Sequence, residues 1–352
     1  MRGLYISARY SLQTGGGLVT RSFRDALGLD NTEIDYFEFD IQRSKYMKLL
    51  EMFKGNILGM THDIQNQILK ILSQNKYDFV FINTSNFGQL IKKISRRFPS
   101  IKIITLCHNV EVYYIREAIR SERKLHKVLT YVVTYINEQK SIRYSDSIIT
   151  LNKRDSDNLR KLYGRGASDI IPICLQDRFD ITKLKVNGNK RPTGLFIGSN
   201  FYANLEGVRW FCKRVAPFVN ADIIIVGKDF ELNKTELEQN KNVTVVGTVN
   251  SIEDYYYSAD FIFSPIFYGS GMKTKTAEAF MFGKPFFGTT EAFEGYDVEY
   301  DKVGALCNSD VEFIDAIENN KVSYIDYSRQ LFLSNYSYES LVNKITDIIG
   351  RV

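Results

Sequence analysis

The sequence predicts an α/β protein of two doubly wound, Rossmann-like domains. Three observations carry that expectation. Short apolar runs alternate with helical stretches in both halves, the 352 residues exceed the usual single-domain size, and glycine turns follow two of the runs. In the first half the runs are Gly3–Ser7, Ile34–Phe39, Asp78–Asn83, Ile101–Cys107, Ser147–Leu151 and Asp169–Ile173. Runs this short, bounded by turn signals, read as buried parallel strands. Residues 178–192 are rich in Lys, Asn and Gly without sustained apolar periodicity, which places a linker at 179–192 between residues 1–178 and a second domain at 193–326. The second half repeats the pattern with Gly194–Gly198, Asp222–Gly227, Val243–Gly247, Asp260–Ser264 and Pro285–Gly288, and a final helical stretch fills 327–349. Two such sheets are expected to face each other across a cleft lined by the carboxyl ends of their strands, where ligands bind.

Net charge is +5, a mild excess that suits an anionic ligand or surface and lacks the clustering of a nucleic-acid binder. Cysteines 107, 174, 212 and 307 lie far apart with no C-x-x-C, which argues for reduced core thiols and against a zinc site. The chain enters an apolar strand at once without a signal-peptide pattern, so a cytoplasmic location is expected. Val128–Ile136 is too short to span a bilayer. Two basic amphipathic stretches offer contact with an anionic membrane surface: Arg43, Lys45, Lys48 and Lys54 among Tyr46, Leu49, Leu50 and Phe53, and Arg116, Arg120, Arg123, Lys124 and Lys127 beside Ile115 and Ile119. Such runs also serve simply as solvated faces.

The most informative stretch is Tyr268–Pro285, where a glycine turn and a lysine open a helix directly behind an apolar strand. Gly269 and Gly271 permit close backbone approach, the first N–H groups of the helix point at an anion, and Lys273 can reach it. Glu278, one turn after Thr274, can accept hydrogen bonds from ligand hydroxyls. Lys275, two positions from Lys273, diverges from it on a helix and is expected to be exposed. The Walker A spacing is missing and no G-x-G-x-x-G follows the first strand, which demotes nucleotide hydrolysis and dinucleotide redox chemistry. Gly15, Gly16 and Gly17 form a second glycine turn after the first strand and permit approach of an anion there, or act only as a flexible connection. His108, Asn109 and Glu111 follow the run ending at Cys107, a polar cluster at a strand's carboxyl end, with Glu111 a candidate acceptor-side carboxylate. Asp155 and Asp157 have the D-x-D spacing of a divalent-cation site, but they precede a helical stretch and suit its N-terminal dipole without metal.

These residues resemble the family 4 retaining glycosyltransferases of the GT-B fold over nearly the whole chain. The likeness is most specific at Gly269–Pro285, with support from Leu195–Ser199, Asn204 and Trp210, from Ser145–Leu151 with Asp155, and from His108-Asn109. The resemblance implies a nucleoside-diphosphate-sugar donor on the second domain, with Glu278 near the ribose and Ser270, Gly271, Met272, Lys273 and Thr274 around the diphosphate and sugar. It implies that Gly198 and Ser199 border the donor, that His108 contacts the donor sugar, that residues 1–178 are the acceptor side, and that the last helix, within 327–352, crosses back to the first domain. It also implies a retaining, metal-independent reaction with no cofactor beyond the donor. Two departures stand out. The first carboxylate of the family's Glu-x7-Glu pair is Ser270 here, and the Arg and Lys that many members carry after the strand ending at Gly198 are replaced by Ser199 and Leu205-Glu206. Lys273 is therefore expected to carry most of the phosphate neutralisation.

The expected activity is transfer of a sugar to a hydroxyl of a glycan or lipid-linked acceptor in surface polysaccharide or glycoconjugate synthesis, with His108, Lys273 and Glu278 as catalytic candidates. An epimerase on the same fold, or a non-catalytic nucleotide-sugar-binding subunit, are the alternatives. Donor, acceptor and oligomeric state are not legible in the residues.

Overall fold

The computed structural model of the protein describes residues 1–10, 15–28, 32–41, 44–122, 126–184, 191–269 and 271–351. The chain divides into two compact units, one of Met1–Pro172 with Leu341–Val352 and one of Ile173–Ser340.

The first unit holds strands β1 (Arg2–Ala8), β2 (Glu33–Phe39), β3 (Phe79–Ile82), β4 (Lys102–Cys107), β5 (Ser147–Thr150) and β6 (Asp169–Ile170). Among the described residues they form one parallel sheet in the order β2-β1-β3-β4-β5-β6. Its helices are α1 (Gly15–Leu27), α2 (Lys45–Phe53), α3 (His62–Gln74), α4 (Gly88–Arg97), α5 (Glu111–Glu122), α6 (His126–Tyr144) and α7 (Lys153–Tyr163). β3 is apolar and buried throughout, as a central parallel strand requires, and Ile68, Leu90, Ile91 and Ile94 cover it from α3 and α4. Asn152 caps α7 through the Asp155 amide, and Gly164 ends that helix with φ at 80°, a conformation that favours glycine.

The second unit holds β7 (Thr193–Ile197), α8 (Tyr202–Arg214), β8 (Asp222–Val226), α9 (Lys234–Leu237), β9 (Val243–Gly247), α10 (Glu253–Ser258), β10 (Phe261–Ser264), α11 (Thr274–Met281), β11 (Phe286–Gly288), α12 (Tyr300–Val303), β12 (Gly304–Leu306), α13 (Asp310–Asn319) and α14 (Asp326–Leu331). Its parallel sheet runs β12-β11-β10-β7-β8-β9, so β7 and β10 are neighbours although they are far apart in sequence. Phe211 of α8 stacks on Phe263 of β10 with centroids 4.0 Å apart. Truncating such a buried ring costs about 3–5 kcal/mol.

Both sheets match the predicted class, and β12 is the strand the sequence hides, because three half-buried residues make no apolar run. The described residues 178–184 belong to the second unit and do not form a free linker. Arg178 pairs with Glu253 at 2.6 Å and Glu278 at 3.0 Å, and Phe179 packs among Tyr257, Phe282 and Tyr324. Residues 185–190 of the expected linker lie outside the described residues. The terminal helix is also divided. α14 is followed by a π turn at Phe332–Tyr336, Ser337 adopts extended backbone and pairs with Leu175, and α15 (Tyr338–Gly350) then begins. Arg351 closes on Asp169 at 2.6 Å in the first unit. The four cysteines are buried thiols that form no disulfide.

Candidate active site

In the second unit, β10 leads through the glycine turn into α11. Gly271 has φ at 65°, which a side chain would strain. Lys273 is the N-cap of α11, not part of its first turn, and its Nζ donates to the Gly271 carbonyl at 2.9 Å and pairs with the Glu291 carboxylate. Thr274 opens the helix half-buried, and Met272 is buried beneath the turn. Ser270 lies outside the described residues.

Lys275 corrects the expectation that it is exposed. It is only 6% exposed, with Nζ 2.9 Å from Asn204 Oδ1 and 4.1 Å from the centre of the Phe196 ring. Helical side chains lean toward the helix N-terminus, which turns this one back toward the end of β7 while Lys273 goes elsewhere. Gly198 makes room, since a Cβ there would stand 3.0 Å from the ammonium. Burial, reinforced by the charge of Lys273, lowers the Lys275 pKa to about 7. Asn204 in turn donates to the Ser199 carbonyl at 2.8 Å. Beneath them the Gly198 carbonyl oxygen lies 1.7 Å from where a Cβ on Gly227 would be, so the turns after β7 and β8 nest backbone on backbone.

Glu278 is not an open carboxylate. Arg178 Nη2 and the Tyr256 hydroxyl each donate to one of its oxygens at 3.0 Å, and it is buried. A ligand contact is left only the remaining lone pairs. Sequence reading missed Arg178 because a polar, aperiodic segment looks like linker, and it missed Tyr256 and Glu291 because neither stands in a motif.

In the first unit, Gly16 and Gly17 are the first turn of α1 and not a separate loop; a Cβ on Gly16 would meet open space. His108 is tied to this helix. Its Nε2 lies 3.0 Å from Asn83 Oδ1, and Asn83 Nδ2 donates to Ser7 Oγ and to Thr20 Oγ1 on α1. Because the Asn83 amide nitrogen serves two hydroxyls, its oxygen is the acceptor and His108 Nε2 carries the proton. Nδ1 is then the acceptor nitrogen. Burial lowers the His108 pKa to about 4, so the ring is neutral at pH 7. A depressed histidine pKa removes stability as pH falls from about 6.5 toward 4, where the unfolded chain binds the extra proton. An imidazole NMR titration of His108 is expected to show a midpoint near 4; a midpoint near 6.5 would contradict this environment.

Asn109 is half-buried in the bend after β4, and Glu111 starts α5. Behind them lies Glu138, which no motif announced. Its carboxylate accepts from the Glu111 amide at 2.9 Å, the Val112 amide at 3.3 Å, Ser85 Oγ at 3.0 Å and the Tyr163 hydroxyl at 2.9 Å. Burial and the Glu138 charge push the Glu111 carboxyl up to about 8. Asp155 and Asp157 do not converge: Asp155 is buried against its cap partner Asn152 at 2.8 Å, and Asp157 pairs outward with Lys153 and Arg160.

The segment from 191 to 320, which contains both lysines, Gly198 and Glu278, matches the family model described as Glycosyl transferases group 1. The second unit carries a group 1 glycosyltransferase domain. Solved structures similar to the entire chain surround this domain with the same architecture. Sucrose-phosphate synthase from Thermosynechococcus elongatus has a TM-score of 0.78 at 14% identity, covering 99% of this chain and 98% of that one. Anabaena Alr3699/HepE, solved with UDP and glucose, has a TM-score of 0.69 at 11% identity with 100% of both chains covered. A glycosyltransferase from Rickettsia africae has 0.66 at 14%, covering 99% and 97%. The group 1 domain therefore sits in a chain of GT-B fold. No curated protein sequence matches it.

Proposed function

We propose that this glycosyltransferase moves a glycosyl group from a nucleoside-diphosphate sugar to a hydroxyl of a glycan or lipid-linked acceptor, with retention and without a metal ion. The observation that carries the reading is Lys275, a buried ammonium turned toward Gly198 from the N-terminal turn of α11. Its placement offers positive charge where the family's basic pair is missing. A poorly solvated cation there gains most from an anion that brings its own charge into the site.

In the reaction, the bond between the anomeric carbon and the diphosphate oxygen breaks and its electron pair stays on that oxygen. Lys275, Lys273 and the first N–H groups of α11 stabilise the charge that develops. The acceptor oxygen bonds to the anomeric carbon on the face the phosphate leaves, and its proton passes to the departing phosphate oxygen. Retention rests on the family resemblance. His108 Nδ1 offers an acceptor to a ligand hydroxyl, and Glu278 meets the ribose through the lone pairs that Arg178 and Tyr256 leave.

A thermal-shift panel of nucleoside diphosphates and their sugars, with and without magnesium, is the test. Selective stabilisation by one base, on the order of 2.7 kcal/mol at a hundredfold excess over Kd, is expected without magnesium. No stabilisation by any of them, or binding only with the metal, would sink the reading. Contact with an anionic membrane is proposed through α2, which exposes Tyr46, Leu49 and Phe53 beside Lys45, Lys48 and Lys54. Salt-reversible sedimentation with phosphatidylglycerol vesicles checks it. Of the second basic stretch, Arg116 lies over the Tyr113 ring, while the side chains of Arg120, Arg123, Lys124 and Lys127 lie outside the described residues, as does Arg43. No helix among the described residues is long and apolar enough to cross a membrane.

A further inference from the structure

The first unit contains a cavity of about 260 Å³ between α2, the segment 56–61, α5 and α6. Its wall is apolar, formed by Ile41, Met52, Ile57, Leu58, Met60 and Ile115. It is smaller than the roughly 300–1,000 Å³ of sites for drug-sized ligands, which suits one hydrocarbon chain better than linked sugar rings. Polar side chains line it too, Lys48, Glu51, Asn56, Thr61 and Thr130 among them, and three bear on a ligand: the Glu111 carboxyl, Asn86 and Thr134. Asn86 and Thr134 are 3% and 1% exposed, and among the described residues Asn86 Oδ1 and Thr134 Oγ1 have no hydrogen-bond partner. Buried polar atoms left unpaired are costly, and two on one cavity wall mark where a ligand supplies the missing bonds.

The chemistry of that ligand follows from the lining. Asn86 Oδ1 needs a donor, and the Thr134 hydroxyl can donate or accept. The Glu111 carboxyl, pushed up to about 8 by burial and the Glu138 charge, is already hydrogen-bonded by the Asn86 side chain. An alcohol hydroxyl can donate to Asn86 Oδ1 and accept from Thr134, whereas a carboxylate offers Asn86 Oδ1 no proton. Beyond the polar groups, Met47 and Tyr114 belong to the same lining and are themselves exposed. Lys48 stands at that rim and complements an anionic lipid surface.

We infer that this cavity binds the hydroxyl-bearing end of an uncharged lipid alcohol, with its hydrocarbon chain lying along the apolar wall toward α2. The inference rests on the proposed transfer only in making that alcohol an acceptor class; binding is measured without a donor.

Isothermal titration of the full chain with decanol, beside decanoate at pH 7, tests it. Wild type is expected to bind decanol at least about tenfold more tightly than decanoate. Thr134→Val removes the hydroxyl but keeps the shape, and should weaken decanol by about fivefold while leaving Tm unchanged or raised, because a buried unpaired hydroxyl is gone. Ile115→Trp fills the cavity and should abolish binding. No decanol binding up to its solubility, equal affinity for decanoate, or unchanged affinity in either variant would overturn the assignment. The nucleotide panel is a separate readout: decanol binding without any nucleotide binding would refute the transfer reaction and leave the lipid site standing.

Discussion

Lys275→Met is expected to stabilise the free chain and to lower turnover by about 10²–10³-fold, the scale for losing one preorganised electrostatic group. The two effects have one cause. In the free protein the ammonium is buried against an aromatic ring with one amide oxygen as a neutral partner, so the charge is inadequately solvated. Methionine keeps the length and the contact with Phe196, and half-buried Asn204 can turn to water. A Tm rise of a few degrees is expected. With the lysine pKa lowered from 10.5 to about 7, stability should climb between roughly pH 7 and pH 10.5, where the unfolded chain holds a proton that the native chain has lost. The variant should lose that climb. Diphosphate should restore the charge, so nucleotide titrations near pH 8 in buffers of different ionisation enthalpy should report proton uptake in wild type and none in the variant. A Lys275→Met protein that turns over normally would move the chemistry back to Lys273.

Glu138→Ala should be among the most destabilising single changes in the first unit, by about 3–5 kcal/mol, the cost of removing one partner from a buried charged network. Four donors from three chain segments converge on this carboxylate, and each loses its acceptor at once. The amides of Glu111 and Val112 begin α5, so the helix should fray where it helps to wall the cavity. Hydrogen exchange at those two amides is the specific readout. Glu138→Gln, which retains one carbonyl oxygen, should cost less. Native protection in Glu138→Ala would show that water replaces the carboxylate and that the network is not structural.

Both sheets were legible in the residues because parallel strands buried on both faces must be apolar runs, whereas Gly16 and Gly17, read as a turn, are the first turn of α1. Gly271 was equally legible, since its φ of 65° demands its residue type. Lys275 was misjudged because spacing tells which side chains diverge but not which of them goes inward; that depends on the missing Cβ of Gly198, 77 residues away. Glu138 and Arg178 escaped for a related reason. Each gathers partners from distant segments, and no local pattern encodes a convergence point. The divided terminal helix reflects tertiary override, as Ser337 takes a backbone bridge to Leu175 in place of another helical turn.

The nesting of Gly227 against Gly198 has a consequence for how this chain can diverge. A methyl group at 227 would displace the carbonyl of Gly198, and the adjoining Ser199 carbonyl anchors the Asn204 amide that receives Lys275. Three contacts thus convey the identity of one residue on the β8 turn to the position of a charge on another element. Drift at 227 is closed to ordinary substitution unless the turn after β7 changes with it. The two turns therefore form a single heritable unit, and variants that alter only one of them are expected to lose donor affinity before they lose their fold.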